Sequence, residues 1–425
     1  MSNVARLPRV EPTIDADCPR TFEVLGEAHY CLALDALGIT FEVDRLRRDR
    51  SELVGELTVR CALAGARTVD GVLSVADLNL SSVRARLDRA RYLGQRAHAG
   101  DVDWTGLLEE LAQRVLTAER TGRPSVDLRT VPLPSPDAAT DVLGVPILRR
   151  HPMIVFGDGG TAKSYLALHI AGELVRRFGW RVGFLDWELD AEDHRARLAA
   201  MYDDDMPEIR YQRCDRPLVH MRDAVQRMVR DDRLHYVICD SVAFACDGPP
   251  EAADVAGRYF QTVRALGVGS LHLAHISKAD GADKRPFGSA FWHNGARSTW
   301  YVRLADDEPG GHTRTLGLYH RKINVGAYLP PRGVQVTFGE RVTFTRIDLR
   351  DVPDLAATLP VSQRLRAALR AGALTRQALT DELSGVNAGT LQKTLKREVD
   401  RGRVVQFPGV DGQPRFGLRA PEDRP

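Results

Sequence analysis

Between His151 and Val175 the chain reads HPMIVFGDGGTAKSYLALHIAGELV: an apolar run, a glycine-rich turn, then an apolar helix pattern. That order dictates a buried strand feeding a loop and a helix, a local unit around which the rest of the chain must fold. Within it, Gly157-Asp158-Gly159-Gly160-Thr161-Ala162-Lys163-Ser164 follows the phosphate-loop pattern G-x-x-x-x-G-K-[ST] except at Ala162, which replaces the last glycine. Glycines let successive backbone N–H groups turn inward as a nest for a phosphate, and a helix starting near Lys163 adds the positive end of its dipole. In such a loop Lys163 reaches the β- and γ-oxygens of a nucleotide, and Ser164 offers its hydroxyl to Mg²⁺. Ala162 adds only a methyl, so it is expected to narrow the loop's conformations without destroying the cradle.

With 425 residues the chain is too long for one ordinary domain; at roughly 150 residues per domain, two to three are expected. No apolar run approaches the ~20 residues that span a bilayer. The polar start MSNVARLPRVEPT lacks the apolar stretch of a signal peptide, so a cytoplasmic protein with no membrane partner is expected. Six cysteines, Cys18, Cys31, Cys61, Cys214, Cys239 and Cys246, show no C-x-x-C spacing, which argues against a zinc site and a disulfide framework. The formal net charge is +2, so any nucleic-acid surface must come from local clustering.

Three segments follow. Residues 1–130 combine alternating stretches (Tyr30 to Leu34, Ile39 to Val43, Leu53 to Cys61) with helical patterns (Ser81 to Ala97, Trp104 to Ala118), an α+β domain with no assigned role. A proline-dotted linker, Thr121 to Asp141, leads into a core over residues 131–350. There, short apolar runs alternate with helical patterns from Val182 to His275, the signature of parallel strands joined by crossover helices. Antiparallel strands are expected at Arg314 to Tyr319, Val334 to Phe338 and Val342 to Ile347. Residues 351–425 carry three short amphipathic helix patterns, VSQRLRAALRAG, LTRQALTDEL and NAGTLQKTLKREVDRGRVV, then a hairpin with Asp411-Gly412 at its tip. That is the pattern of a winged helix.

Chemistry-bearing residues sit at strand ends. The apolar run Tyr236 to Cys239 ends in Asp240, which emerges at the carboxyl edge of a parallel sheet and is the candidate second group behind the metal. The run RVGFLDWELD ends in Asp186, Trp187 and Glu188; Glu188 is the preferred base for an attacking water, with Asp186 a competitor. Leu271 to His275 ends in a candidate γ-phosphate sensor, His275, or a histidine that is merely hydrogen-bonded. The segment KRPFGSAFWHNGARSTW mixes Lys284, Arg285 and Arg297 with Phe287, Phe291 and Trp292 around Gly288 and Gly295. Cations for phosphates and rings for bases suit a mobile single-strand-binding loop, and equally an ordinary loop whose rings join the core.

The ordered set GDGGTAKS, LDWE, VICDS, HISK, PFGSAFWHNGAR and RKINVG resembles the RecA/DnaB-type ATPases, closest to the RepA-like branch of plasmids and phages, over about residues 135 to 345. The resemblance implies an α/β fold with a RecA-like P-loop core that assembles as a ring, usually a hexamer, with ATP at subunit interfaces. It also implies Glu188 as the catalytic glutamate and His275 as a phosphate sensor. The K-x-R element that reaches a neighbour's nucleotide in related rings stands here as Lys322-Ile323-Asn324. Asparagine cannot act as an arginine finger, which leaves Arg321, Lys322 or Arg297 as trans-acting candidates, or slow turnover.

From Val361 to Pro425 there are 12 Lys and Arg against 7 Asp and Glu, a surplus suited to a DNA backbone. The third helix would present Asn387, Thr390, Gln392, Lys393, Lys396 and Arg397, with Arg415 in the wing. Basic runs at Asp44 to Arg50 and Arg84 to Arg96 fit solvated surfaces as well as nucleic acid. The expectation is therefore a Mg²⁺-dependent ATPase acting on DNA, as an oligomeric replicative helicase or helicase loader of a mobile element. Single strands would meet the core loops near Arg285 and Arg297, and duplex the winged helix. The alternative is an ATP-switched DNA-binding regulator that oligomerises without unwinding.

Overall fold

The computed structural model describes residues 18–26, 28–98, 101–122, 125–133, 139–276, 286, 288–305, 311–324, 326–409 and 412–419. The chain divides into two compact units, Met1–Leu133 and Pro134–Pro425.

In the first unit, period-two alternation produces a five-stranded antiparallel meander in chain order: β1 (Thr21–Gly26), β2 (His29–Leu34), β3 (Ile39–Asp49), β4 (Glu52–Cys61) and β5 (Val72–Asn79). The inward positions Leu32, Leu34, Ile39, Phe41, Leu57 and Val59 are buried against α1 (Val83–Ala97) and α2 (Trp104–Thr121). Both helices are capped from the sequence: Ser82 accepts from the Ala85 N–H and Asp103 from the Gly106 N–H. The alternating stretches and both helices lie where the pattern expected them; β1 and β5 were not foreseen. β1 carries mostly exposed residues and so lacks the inward apolar set that marks a strand. The basic run Asp44 to Arg50 lies on the exposed end of β3.

The second unit opens with a short hairpin, β6 (Ala139–Val142) and β7 (Val145–Leu148). The alternating core follows: β8 (Pro152–Gly157), α3 (Lys163–Phe178), β9 (Val182–Asp186), α4 (Ala191–Tyr202), β10 (Ile209–Arg213), α5 (Arg222–Asp231), β11 (Tyr236–Asp240), α6 (Val242–Ala245), α7 (Ala253–Ala265), β12 (Gly269–Ala274), α8 (Ala290–Gly295) and β13 (Ser298–Leu304). β14 (Thr313–Ile323), β15 (Arg332–Phe338) and β16 (Val342–Ile347) extend the same sheet. Its order is β10-β9-β11-β12-β8-β13-β14-β15-β16, parallel from β10 through β13 and antiparallel beyond.

This mixed α/β sheet is covered on both faces, which is why β8 and β11 are continuous apolar runs rather than alternating ones. Along β8, Met153 and Val155 face the layer that holds α3, while Ile154 and Phe156 face the layer that holds α7. Two strands, β12 and β11, separate the phosphate-loop strand from β9. All these parallel strands point their carboxyl ends to one edge, where the loops carrying Lys163, Glu188, Asp240 and His275 converge.

The C-terminal part contains α9 (Pro353–Ala356), α10 (Val361–Ala368), β17 (Leu374–Thr375), α11 (Arg376–Glu382), α12 (Ala388–Asp400), β18 (Val404–Pro408) and β19 (Pro414–Leu418). The three strands form one sheet in the order β17-β19-β18. Leu365, Leu379, Leu391, Leu395 and Phe416 make a separate small core. Among the described residues no helix is long and apolar enough to cross a membrane.

Candidate functional site

The glycine loop leaves β8 at Gly157, where an added Cβ would lie 2.5 Å from the Val302 carbonyl oxygen of β13. A side chain there would force two strands apart, so glycine is demanded by close approach. Gly160 needs its freedom for a different reason, a φ of +74°. Ala162, just ahead of α3, also sits in the left-handed region with φ 54° and ψ 25°. That is where the pattern's glycine would supply a positive φ without strain, and alanine holds the conformation at a cost of about 1–2 kcal/mol. The irregular residue therefore keeps the loop's backbone shape.

Lys163 folds back over the loop: its Nζ donates to the carbonyls of Gly157 (3.1 Å) and Asp158 (2.6 Å) and to Thr161 Oγ1 (3.3 Å). The ammonium is almost fully buried, and burial lowers its pKa, opposed by the charges of Asp240, Glu188 and Asp158. These partners are two loop carbonyls and a hydroxyl, all neutral and weaker acceptors than a phosphate oxygen.

Asp240 closes β11 in register with Asp186 of β9, and the Trp187 N–H donates to the Asp240 carbonyl at 2.7 Å. The residue is 2% exposed. Burial pushes its pKa up to about 6, with the Ser164 hydroxyl's hydrogen bond opposing and Glu188 and Asp186 adding to the rise. Asp240 Oδ2 is buried without a hydrogen-bond partner among the described residues. A buried carboxylate oxygen left open beside a hydroxyl is a hard, oxygen-only donor set, and it fits Mg²⁺, which takes few protein ligands and keeps several waters. No cluster of three His, Cys, Asp or Glu that could cage a metal occurs among the described residues.

Glu188 lies just beyond β9 and accepts a short hydrogen bond from Ser241 Oγ, the residue after Asp240. His275, at the end of β12, places Nε2 3.9 Å from Glu188 Oε1. Both side chains remain partly solvent-exposed.

Asp186 is a different case, and its reading as a competing base is corrected. It is wholly buried, accepts from the N–H groups of Glu188 (3.0 Å) and Leu189 (3.1 Å), and lies 2.9 Å from His194 Nε2 and 3.3 Å from the Tyr211 hydroxyl. Burial alone would raise its pKa; the His194 hydrogen bond and the two backbone donors outweigh it and hold the carboxyl below its usual range. No water can reach it, and its work is to fold the turn that carries Glu188. Ser241, His194 and Tyr211 were not singled out from the sequence. Ser241 alone had a local signal, its place directly after the strand-ending aspartate.

The other sequence candidates scatter. Arg285, with Lys284 and Phe287, lies outside the described residues. Trp292 is buried in the core against Tyr259 and Phe260, and its indole N–H donates to the Pro250 carbonyl at 2.7 Å, so it cannot stack on a base. Gly288 and Gly295 are close-packing positions rather than sources of mobility: a Cβ would meet Pro250 O at 2.4 Å and the Phe260 ring at 2.1 Å. Phe291 stays exposed. Arg297 precedes β13, its N–H donating to the Pro152 carbonyl at the amino edge of the sheet, opposite the phosphate loop.

Lys322 is fully engaged: Nζ donates to the carbonyls of His293, Asn294 and Ala296, each at 2.8 Å, where α8 ends. All three donors of this ammonium are thus engaged within its own chain. Arg321 lies over the rings of Tyr301 (5.5 Å) and Tyr319 (5.9 Å). On α12, Thr390, Gln392, Lys393, Lys396 and Arg397 are exposed, whereas the Asn387 side chain caps the helix by accepting from the Gly389 N–H. Arg415 sits half-buried in β19, the second strand of the β18–β19 hairpin and the central strand of its sheet.

No protein-family model and no curated protein matches the sequence. Among solved structures the chain is similar to a KaiC-like protein of the hyperthermophilic archaeon Pyrococcus horikoshii, at 14% identity and a TM-score of 0.39, over 48% of this chain and 91% of that one.

Proposed function

We propose that the chain is a Mg²⁺-dependent P-loop ATPase with a RecA-like core, acting on DNA as a homo-oligomer. The observation that carries the reading is the convergence of Lys163, Ser164, Asp240 and Glu188 on one edge of a parallel sheet whose strands bring them from far apart in sequence. In this reading the loop N–H groups and Lys163 bind and orient the triphosphate, Ser164 and Asp240 hold Mg²⁺, and Glu188 takes the proton of the attacking water. The metal ion, when bound, neutralises phosphate charge during the transfer. Ser241 and His275 fix the direction in which the Glu188 carboxylate faces.

The DNA part rests on the exposed basic face of α12 in a helix-rich unit closed by a hairpin, the elements of a winged helix. A helicase or helicase loader is the first form of this proposal. The regulatory form, ATP-switched duplex binding without unwinding, is favoured by one observation: with Lys322 tied to its own α8 and Asn324 in place of an arginine, the usual trans-acting cation is missing. ATP hydrolysis with and without DNA tests the shared core. Lys163→Ala should lose nucleotide binding, and Glu188→Gln should bind nucleotide but turn over at least ~100-fold more slowly. Hydrolysis by Glu188→Gln at the native rate would refute this mechanism, and unwinding of a forked duplex separates the two forms.

A further inference from the structure

A cleft of about 1180 Å³ lies between the β15–β16 end of the large sheet and the C-terminal helices, away from both the phosphate loop and the exposed face of α12. Eight of its 19 lining residues are arginine and one, Asp348, is acidic; none is aromatic. Arg346 and Arg350 stand on the sheet side, and Arg370 on the helix side. Arg401 and Arg403 flank the turn at Gly402, over which Arg419 lies: a Cβ there would meet its Nη1 at 3.2 Å. Asp348 is already paired with Arg350.

Beneath the cleft Glu398 of α12 is 1% exposed, and neither of its carboxylate oxygens makes a hydrogen bond among the described residues. It faces Arg366 Nε at 3.6 Å, Arg403 Nη1 at 3.7 Å and Arg401 Nη1 at 3.9 Å. This buried carboxylate holds three guanidinium groups together at one wall of the cleft. One buried anion and one surface anion do not balance eight cations in so small a space, so the cleft is preset for a polyanion. Planar guanidinium forks match phosphate oxygens bidentately, and without an aromatic ring the cleft has no platform for unstacked bases.

We propose that this cleft grips the phosphodiester backbone of duplex DNA without regard to sequence. The inference shares a DNA partner with the reading above but assigns it to other residues and needs no ATP, so the two fail separately. The side chains of Arg346, Arg370 and Arg419 are exposed and make no hydrogen bond or ion pair among the described residues, so replacing them should leave the fold intact.

The test is fluorescence anisotropy on the full chain, without nucleotide, using labelled duplexes of two unrelated sequences between about 50 and 200 mM salt. The triple variant Arg346→Ala, Arg370→Ala, Arg419→Ala should weaken both duplexes equally and reduce the slope of log affinity against log salt by about 0.9 per arginine. Its melting temperature and ATP hydrolysis without DNA should match the native chain. A parallel variant, Lys393→Ala, Lys396→Ala, Arg397→Ala, should instead change the preference between sequences. An unchanged slope in the cleft variant overturns the proposal. So does full displacement of duplex by millimolar inorganic pyrophosphate, which would make the cleft a site for a small free phosphate. Tighter binding of an unstructured single strand than of duplex also overturns it.

Discussion

His194 Nε2 lies 2.9 Å from Asp186 Oδ2, both residues buried, and this pair pins the turn that projects Glu188 toward the phosphate loop. Two carboxylates separated by one residue thus have opposite fates: one is sealed and hydrogen-bonded, the other faces solvent beside Ser241 and His275. Asp186→Asn keeps an acceptor for the turn N–H groups but loses the charge that His194 and Tyr211 face. It should cost about 2 kcal/mol of stability, the scale of a buried charge-assisted hydrogen bond. Turnover should fall while nucleotide affinity stays within about twofold, since the proposed binding uses the loop and Lys163. Chemical denaturation and single-turnover hydrolysis check both halves, and undiminished turnover would show that Glu188 needs no such support.

Ala162→Gly relieves a left-handed alanine at the start of α3 and should stabilise the chain by about 1 kcal/mol. Nucleotide binding should persist, because the backbone shape is already that of the glycine. A thermal melt with and without ATP measures it; a destabilised variant would mean that the methyl contributes packing that outweighs the strain.

Lys322→Met removes three hydrogen bonds to the end of α8 and should lower stability by about 2 kcal/mol while leaving turnover per subunit nearly unchanged. A trans-acting cation would give the opposite pattern, a loss of about 10³-fold or more in turnover with little change in stability. Measuring both in one variant decides which role the residue has.

His272 on β12 is wholly buried between the Tyr259 hydroxyl (2.9 Å from Nδ1) and Ser270 Oγ (2.8 Å from Nε2), and burial lowers its pKa to about 3. The unfolded chain protonates this histidine below about pH 6.5 and the folded chain does not, so its contribution to stability is lost as pH falls from there. Between pH 7 and 5 the loss should be about 2 kcal/mol. In His272→Asn the difference in unfolding free energy between those two pH values should shrink by that amount, whatever the variant's absolute stability.

Much of the architecture was legible because it is written locally. Apolar runs of four to six residues ending in Asp186, Asp240 and His275 announced parallel strands, and the glycine loop from Gly157 to Ser164 lies between β8 and α3 as its spacing predicts. Trp292 misled because an aromatic beside glycines and arginines looks the same whether the ring meets a base or meets Phe260. Asp186 misled for the same reason, since burial is set by the neighbouring strands β10 and β11.

The sequence by itself determined the strand, glycine loop and helix from His151 to Val175 and the alternation of strands and helices that follows, because both are set by neighbours a few residues apart. Only the tertiary structure decided that two strands intervene between β8 and β9, so that Glu188, Asp240 and Ser164 share one edge. It also decided that Lys322 is consumed by α8, and that arginines from β16, α10 and the turn at Gly402 line one cleft around Glu398. Those relations join residues as far apart in the chain as Ser164 and Asp240. No local periodicity encodes them, because they depend on which strand lies beside which and on what each face must bury.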